Sequence, residues 1–298
     1  MPLAAVLGWP LAHTLSPQLH QAAYRAAGLH GWRYEARPTR PEELAPTFQR
    51  LRSGELAGVN LTTPHKEAAV PLVDRLEPPA DTLAAVNTVW PAAGGLVGGN
   101  TDVAGVGWAL DHQLGLAGTG GDGRVPAAPA GEGWDGGGPA VLLGTGGAAL
   151  AVALAWARLA RARAALALPT SPLTVVGRDP ARVALAARLA GPGTARLGWA
   201  AAGDLVAGAR VVVQATTLTA RGEPVPGQDR LRAGVRLLDL NYGPHAQGLV
   251  AAARTVGAAA AVDGLGMLCA QAADAMTRHT GARADLAAMA AAVGLALP

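Results

Sequence analysis

Residues 140–149 restrict the fold more than any other stretch of this chain. Ala140 to Leu143 is a short apolar run, Gly144-Thr145-Gly146-Gly147-Ala148-Ala149 follows at once, and a long Ala-rich helical stretch comes next. A strand, a G-x-G-x-x-A turn and a helix in that order let the backbone approach a pyrophosphate at a helix N-terminus. In a chain with 40 glycines such a turn is a weak signal alone. Its surroundings strengthen it. Apolar segments recur at Leu173 to Val176, Val211 to Gln214, Val235 to Leu240 and Ala259 to Val262, with a helix from Pro180 between the first two. Strands alternating with helices predict an α/β unit with a parallel, doubly wound, Rossmann-like sheet.

The end of the second of these strands sets the cofactor. Val176-Gly177-Arg178-Asp179-Pro180-Ala181-Arg182 carries two guanidinium groups one helical turn apart. An acid at this place serves the ribose hydroxyls of NAD, whereas a guanidinium pairs with the 2′-phosphate of NADP. Arg178 and Arg182 therefore favour NADP. Asp179 could serve a ribose, but directly before Pro180 it is better placed as the helix N-cap. The distance from Gly144 to Arg178 exceeds the usual ~20 residues, and extra residues around 160–172 account for the excess.

The N-terminal third repeats one pattern. Leu3 to Leu7 reads as a strand that stops at Gly8-Trp9-Pro10, and Ser16-Pro17 reads as N-cap and first turn of a helix over Gln18 to Ala27. Gly58 to Thr62 reads as a second strand, followed by Pro64 and a helix from Lys66 to Val73. A third strand, Ala85 to Trp90, and a polar turn, Gly98 to Asp102, complete the lobe. With 298 residues, two domains and a cleft are expected. The first domain is predicted over 1–103, with C-terminal helices 264–298 packing back on it, and the cofactor domain over 104–263. Residues 116–139 form a Gly/Pro tract too poor in apolar residues to build a core, read as a flexible surface insertion with Trp134 resting on the surface. Deleting Gly118 to Gly138 is expected to leave activity nearly intact.

Composition removes several classes of function. A balance of 24 Lys+Arg against 21 Asp+Glu gives only +3, and no basic block interleaves with aromatics, so no nucleic-acid partner is expected. Cys269 is the one cysteine, which excludes an internal disulfide and reads as a small core residue. Val141 to Ala157 is uncharged, but its glycines break it after three apolar residues, so no membrane span is predicted. The N-terminus is broken by Gly8 and Pro10 and does not read as a signal peptide. A cytoplasmic monomer or homodimer is expected. No histidines show metal-ligand spacing.

Taken singly, Lys66 is an ordinary helix-start lysine and Asp102 an ordinary turn residue. Their company changes the reading. Asn60-x-Thr62-x-Pro64-His65-Lys66-Glu67, Ala85-Val86-Asn87-Thr88 and Gly99-Asn100-Thr101-Asp102 concentrate hydrogen-bonding groups near strand ends. With Gly8-x-Pro10-x-x-His13-Thr14-x-Ser16-Pro17, the cofactor loop and Asp263-Gly264-Leu265-Gly266-Met267-Leu268-x-x-Gln271, six segments in order resemble the shikimate dehydrogenase family. The resemblance covers nearly the whole chain outside the Gly/Pro tract. It implies a substrate lobe beside a Rossmann lobe, and interconversion of shikimate and 3-dehydroshikimate with NADP in aromatic amino-acid biosynthesis.

By that resemblance Lys66 and Asp102 match the acid/base pair. Thr14 and Ser16 match the groups that hold the substrate carboxylate, helped by Tyr242, and Thr62, Asn87 and Gln271 match those that hold ring hydroxyls. Gly144, Gly146, Gly147, Ala148, Arg178, Arg182 and Thr216 fall on the cofactor side, and Gly264 near the nicotinamide. Three departures stand out. Thr14 replaces the family's serine and keeps the hydroxyl. Gln214-Ala215-Thr216-Thr217 differs from the usual Asn-Ala-Thr, which predicts a differently shaped loop, and Asn241-Tyr242-Gly243-Pro244 keeps the tyrosine in altered surroundings. His13 and His65 are expected to shape loops. Chemically, reduction of a ketone develops charge on oxygen that a lysine ammonium can stabilise and protonate, and oxidation needs the neutral amine. Thr14 and Asp179 keep open a quinate/shikimate dehydrogenase using NAD or NADP. A ligand-sensing regulator without turnover would be expected to lose Lys66 or Asp102, and both are present.

Overall fold

In the computed structural model, which describes residues 1–11, 14–117, 134–244 and 246–298, the first apolar run becomes strand β1 (Leu3–Gly8). Helix α1 (Ser16–Ala26) follows, and here the sequence-based cap is corrected. Leu15 is the N-cap and Ser16 the first helical residue, whose N–H donates to Thr14 Oγ1 at 3.2 Å. Pro17 has no N–H to offer a capping side chain, so the hydroxyl before the helix takes the Ser16 amide instead. His13 and His245 lie outside the described residues.

The chain continues through β2 (Arg33–Pro38), α2 (Leu44–Arg52), β3 (Gly58–Leu61), α3 (His65–Ala68), β4 (Arg75–Leu76), α4 (Ala80–Leu83), β5 (Thr88–Ala92), β6 (Gly95–Gly99) and α5 (Asp102–Trp108). The helix expected over Lys66 to Val73 is interrupted. It stops at Ala68 and resumes as a 3₁₀ turn over Val70–Leu72, because Pro71 cannot donate the amide bond an α-helix requires. The strand expected at Ala85 begins at Thr88, since Ala84 is left-handed (φ 48°) where α4 ends. The polar turn expected over Gly98 to Asp102 is split, with both glycines finishing β6 and Asp102 opening α5. The sheet order is β2-β1-β3-β5-β6-β4, with β1 parallel to β2 and β3, and β5 antiparallel to β3 and β6.

The second sheet is built from β7 (Ala140–Leu143), β8 (Leu173–Gly177), β9 (Ala195–Gly198), β10 (Val211–Gln214), β11 (Arg236–Asp239) and β12 (Ala260–Val262), linked by α6 (Gly147–Ala165), α7 (Pro180–Ala190), α8 (Ala202–Gly208) and α9 (Gln247–Thr255). Every pair is parallel and the order is β12-β11-β10-β7-β8-β9. This is the doubly wound sheet expected from the alternation. Strands buried on both faces must be apolar throughout, which is why β7, β8 and β10 were legible. The exposed edge strand β9 (Ala-Arg-Leu-Gly) has no such pattern and was not anticipated. The chain runs through β7, β8 and β9 to one side and returns to β10 on the other, so the strand order reverses between β7 and β10, the place where open α/β sheets bind ligands.

Helices α10 (Leu265–Thr280) and α11 (Leu286–Ala292) end the chain. Met1–Gly105 with Leu268–Leu297 forms one unit, and Val106–Met267 with Pro298 the other. In the first unit Cys269, Ala272 and Met276 pack with Leu19 and Tyr24 on one side of the sheet, and Phe48 and Leu51 with Val59 on the other. Among the described residues no helix is long and apolar enough to cross a membrane.

Residues 118–133 of the Gly/Pro tract lie outside the described residues, but its ends correct the expectation of a surface loop. Leu116 is fully buried, and Trp134 is buried against Trp156 rather than resting on the surface. Arg163, itself 1% exposed, explains this. Its guanidinium lies 4.7 Å over the Trp134 ring and donates to the carbonyls of Leu116 (2.6 Å), Pro169 (2.7 Å) and Trp134 (3.4 Å). A buried cation bonded on three sides fastens both ends of the tract to α6.

Candidate active site

The loops after β1 and β3 are fastened together first. Thr62 N–H donates to Leu7 O at 2.9 Å and Trp9 N–H to Thr63 O at 3.0 Å. A Cβ on Gly8 would lie 2.4 Å from Thr62 Cγ2, so glycine is required for the approach. His65 Nε2–H donates to Thr39 O at 2.8 Å and shapes the loop, as expected. The next residue is Lys66, whose carbonyl accepts the Val86 N–H at 2.8 Å. With its own carbonyl bonded to Val86 and the neighbouring His65 ring bonded to Thr39, Lys66 reaches Nζ to within 2.5 Å of Asp102 Oδ2.

Asp102 opens α5, and its N–H donates to Asn100 Oδ1 at 3.1 Å. Its second oxygen, Oδ1, accepts from Asn87 Nδ2 at 2.8 Å. The carboxylate is 8% exposed and the lysine side chain 22%, so the pair is buried at the acid and accessible at the ammonium. A short charge-assisted contact of this kind holds both groups in one geometry.

Asn87 is the hub. Its Nδ2 donates also to Thr101 Oγ1 (3.0 Å), and its Oδ1 accepts from Thr101 N–H (2.8 Å) and Thr88 Oγ1 (2.9 Å). Thr101 Oγ1 donates to Gln271 Oε1 at 3.2 Å, and Gln271 Nε2 to Leu268 O at 3.0 Å. Lys66, Asp102, Asn87 and Gln271 thus belong to one network. Thr14 and Ser16 form a second group, their hydroxyls 3.1 Å apart at the start of α1. Thr62 stands beside Gly8, and no side-chain bond joins it to either group among the described residues. Tyr34, Asn60, Thr88 and Thr101, to which the sequence motifs assign no role, all bond into the same network. Asn60, Thr88 and Thr101 stood inside quoted motifs, while Tyr34, 26 residues before Asn60, carried no local signal.

In the second unit the register aligns Leu143, Val176, Gln214 and Asp239 in one row, so the loops that follow share the carboxyl edge of the sheet. Gly144 has φ +109°, and a Cβ there would lie 2.8 Å from Ala215 O, so the loop after β7 needs glycine to pass the loop after β10. At Gly146 and Gly147 a Cβ would meet nothing within 4 Å. Gly146 is the N-cap of the 19-residue α6 and offers no capping side chain. The amides at the start of a long helix, with open space over them, suit a pyrophosphate.

Asp179 caps α7 as expected, accepting from Ala181 N–H (2.8 Å) and Arg182 N–H (3.2 Å). Arg178 is exposed, whereas Arg182 Nε donates to Thr145 O at 2.8 Å and so grips the glycine loop. Gln214 Oε1 accepts from Thr216 N–H at 2.7 Å, and Asn241 Nδ2 donates to Thr216 O at 2.8 Å, which sets the loop after β10. Gly264 N–H donates to Asn241 O at 2.9 Å, and a Cβ there would meet Leu240 O at 2.2 Å. Tyr242 is half-buried beside Asn241.

Residues 6–89 match the family model of the shikimate dehydrogenase substrate binding domain. The shikimate dehydrogenase (NADP(+)) of Geobacter sp. (strain M21) is 35% identical over 284 residues, covering 94% of this chain and 90% of that protein. Among solved structures, Mycobacterium tuberculosis shikimate dehydrogenase is 31% identical with a TM-score of 0.78 over 98% of this chain and 99% of that one. Shikimate 5-dehydrogenase from Thermus thermophilus, in complex with NADP(H) and shikimate, is 32% identical with a TM-score of 0.71 over 98% of each chain. With the two sheets, the glycine loop at the strand reversal and the Lys66–Asp102 pair in place, the chain belongs to the shikimate dehydrogenase family.

Proposed function

We propose that the chain interconverts shikimate and 3-dehydroshikimate with NADP, Lys66 and Asp102 moving the proton. The observation that carries this reading is the Lys66 Nζ to Asp102 Oδ2 contact at 2.5 Å, with the other carboxylate oxygen taken by Asn87. In the reducing direction the Lys66 ammonium stabilises the charge developing on the substrate oxygen and donates its proton. In the oxidising direction the amine accepts the hydroxyl proton, and Asp102 fixes Nζ and shares that proton. Binding falls to the surrounding groups. Thr14 and Ser16 hydroxyls, helped by Tyr242, receive the substrate carboxylate, while Thr62 and Gln271 hold ring hydroxyls and Asn87 joins them by exchanging its Nδ2 bond to Thr101 Oγ1 for a substrate oxygen, its bond to Asp102 being kept.

When bound, NADP supplies the two-electron acceptor or donor. Gly144, Gly146, Gly147 and Ala148 would admit its pyrophosphate to the start of α6, Arg178 would take the 2′-phosphate, and Thr216 and Gly264 would serve the nicotinamide, while Arg182 holds the glycine loop through Thr145. The test is shikimate-dependent NADPH formation by the purified chain and by Lys66→Ala, with quinate and NAD in parallel. Lys66→Ala should lose at least about 100-fold in kcat. An inactive wild type, or an equally active variant, sinks the dyad. Preference for quinate or for NAD would overturn the substrate or the cofactor part.

A further inference from the structure

We propose that Tyr34 is a positioning residue heading a one-way chain of hydrogen bonds through Asn60, Thr88 and Asn87 that ends on the Asp102 carboxylate and presents its second oxygen to Lys66. The inference rests on the acid/base reading of that pair. Four donations follow one another: Tyr34 Oη to Asn60 Oδ1 (2.8 Å), Asn60 Nδ2 to Thr88 Oγ1 (3.0 Å), Thr88 Oγ1 to Asn87 Oδ1 (2.9 Å) and Asn87 Nδ2 to Asp102 Oδ1 (2.8 Å). All five side chains are buried, so each broken link leaves a polar atom without water.

The direction of the chain is set by groups that can act in only one way. Asn60 Nδ2 also donates to the Asn87 carbonyl at 3.3 Å, an acceptor only, and the Thr101 N–H at 2.8 Å from Asn87 Oδ1 is a donor only. Neither amide can turn over without setting like against like. Thr88 accepts from Asn60, and its one proton goes to Asn87 Oδ1 at 2.9 Å rather than to the more distant Thr101 Oγ1 at 3.4 Å. What remains is Asn60 Oδ1, and Tyr34 supplies the proton for it. Burial holds the Tyr34 phenol well above its ordinary range, so the phenol keeps that proton. The ring is clamped by His20, stacked at 3.9 Å and 6° and kept neutral by burial, so no cation disturbs the stack. With Oδ1 of Asp102 filled from this side, Oδ2 is left to Lys66. Hydrogen bonds polarising one another along such a chain strengthen the last of them.

The experiment uses the full chain and Tyr34→Phe, which keeps the ring and the stack and removes the donor. Two measurements are made. Side-chain amide resonances are recorded in ¹⁵N-labelled protein, with the Asn87 pair assigned by its loss in Asn87→Ser. Steady-state rates are measured with shikimate and NADP. The Asn87 pair should move in Tyr34→Phe although Tyr34 does not touch Asn87. The kcat should fall about three- to tenfold with both KM values within about twofold. In an Asp102→Asn background, Tyr34→Phe should cost no further activity. An unmoved Asn87 pair overturns the relay whatever the activity, and so does an unchanged kcat with only a lower melting temperature. If wild type does not oxidise shikimate, the functional reading fails and the amide resonances alone decide the relay.

Discussion

Two buried histidines make the first unit sensitive to acid in a calculable way. His279 and His20 lie with ring centroids 6.3 Å apart, and a Cβ on Gly58 would come within 2.4 Å of the His279 ring. Burial, with a smaller contribution from Arg278, pushes the His279 imidazole down to about 4, while the backbone at Val59 and Val89 opposes the fall. His20, packed on Tyr24 and Tyr34, is lowered well below 6.5 by burial and by His279. In the unfolded chain an imidazole titrates near ~6.5. Below that pH the unfolded state binds a proton that the folded state refuses, so the stability from a neutral His279 is complete above ~6.5 and is lost as pH falls toward about 4. At about 1.36 kcal/mol per unit, the whole window costs roughly 3 kcal/mol, with about 2 kcal/mol gone by about pH 5. Urea unfolding of wild type and His279→Phe at about pH 7, 6 and 5 measures it, since Phe keeps a ring against Gly58 and cannot titrate. The variant should lose less stability on acidification, and adding His20→Phe should flatten the curve further. Wild-type stability that stays level from about pH 7 to 5, or an identical fall in His279→Phe, would show that burial of a neutral His279 is not the source of the acid sensitivity.

Further outcomes concern the Gly/Pro tract and the cofactor. Arg163 reaches both the Leu116 and Trp134 carbonyls with one guanidinium, so replacing 118–133 by a short Gly/Ser linker should leave melting temperature and turnover close to wild type. Extending that deletion through Gly138 removes the buried Trp134 ring and should cost roughly 3–5 kcal/mol in calorimetry, against the expectation that the longer tract is dispensable. If Arg178 takes the 2′-phosphate as proposed, Arg178→Gln should weaken NADP about tenfold or more and leave NAD nearly unchanged in titration calorimetry. Arg182→Gln should weaken both alike, since Arg182 Nε holds the Thr145 carbonyl, and a loss confined to NADP would contradict that role.

What the sequence determined by itself is whatever local chemistry dictates. Strands β7, β8 and β10 are apolar because both faces are covered, Gly144 is glycine because φ is +109°, and Asp179 precedes Pro180 because a helix starts there. Lys66, Asn87 and Asp102 were legible because they stand in short motifs at strand ends. Where the sequence misled, a neighbour distant in the chain decided. Trp134 sat in a Gly/Pro tract and is buried because Arg163, 29 residues on, needs carbonyl partners away from water. The edge strand β2 and its Tyr34 gave no periodic signal, yet pairing of Tyr34 with Ala4 and of Asn60 with Val6 and Thr88 sets the phenol on the Asn60 amide. Residues from β2, β3, β5 and the start of α5 are separated by tens of positions and meet only when the sheet forms, so the chain of bonds to Asp102 belongs to the tertiary structure alone.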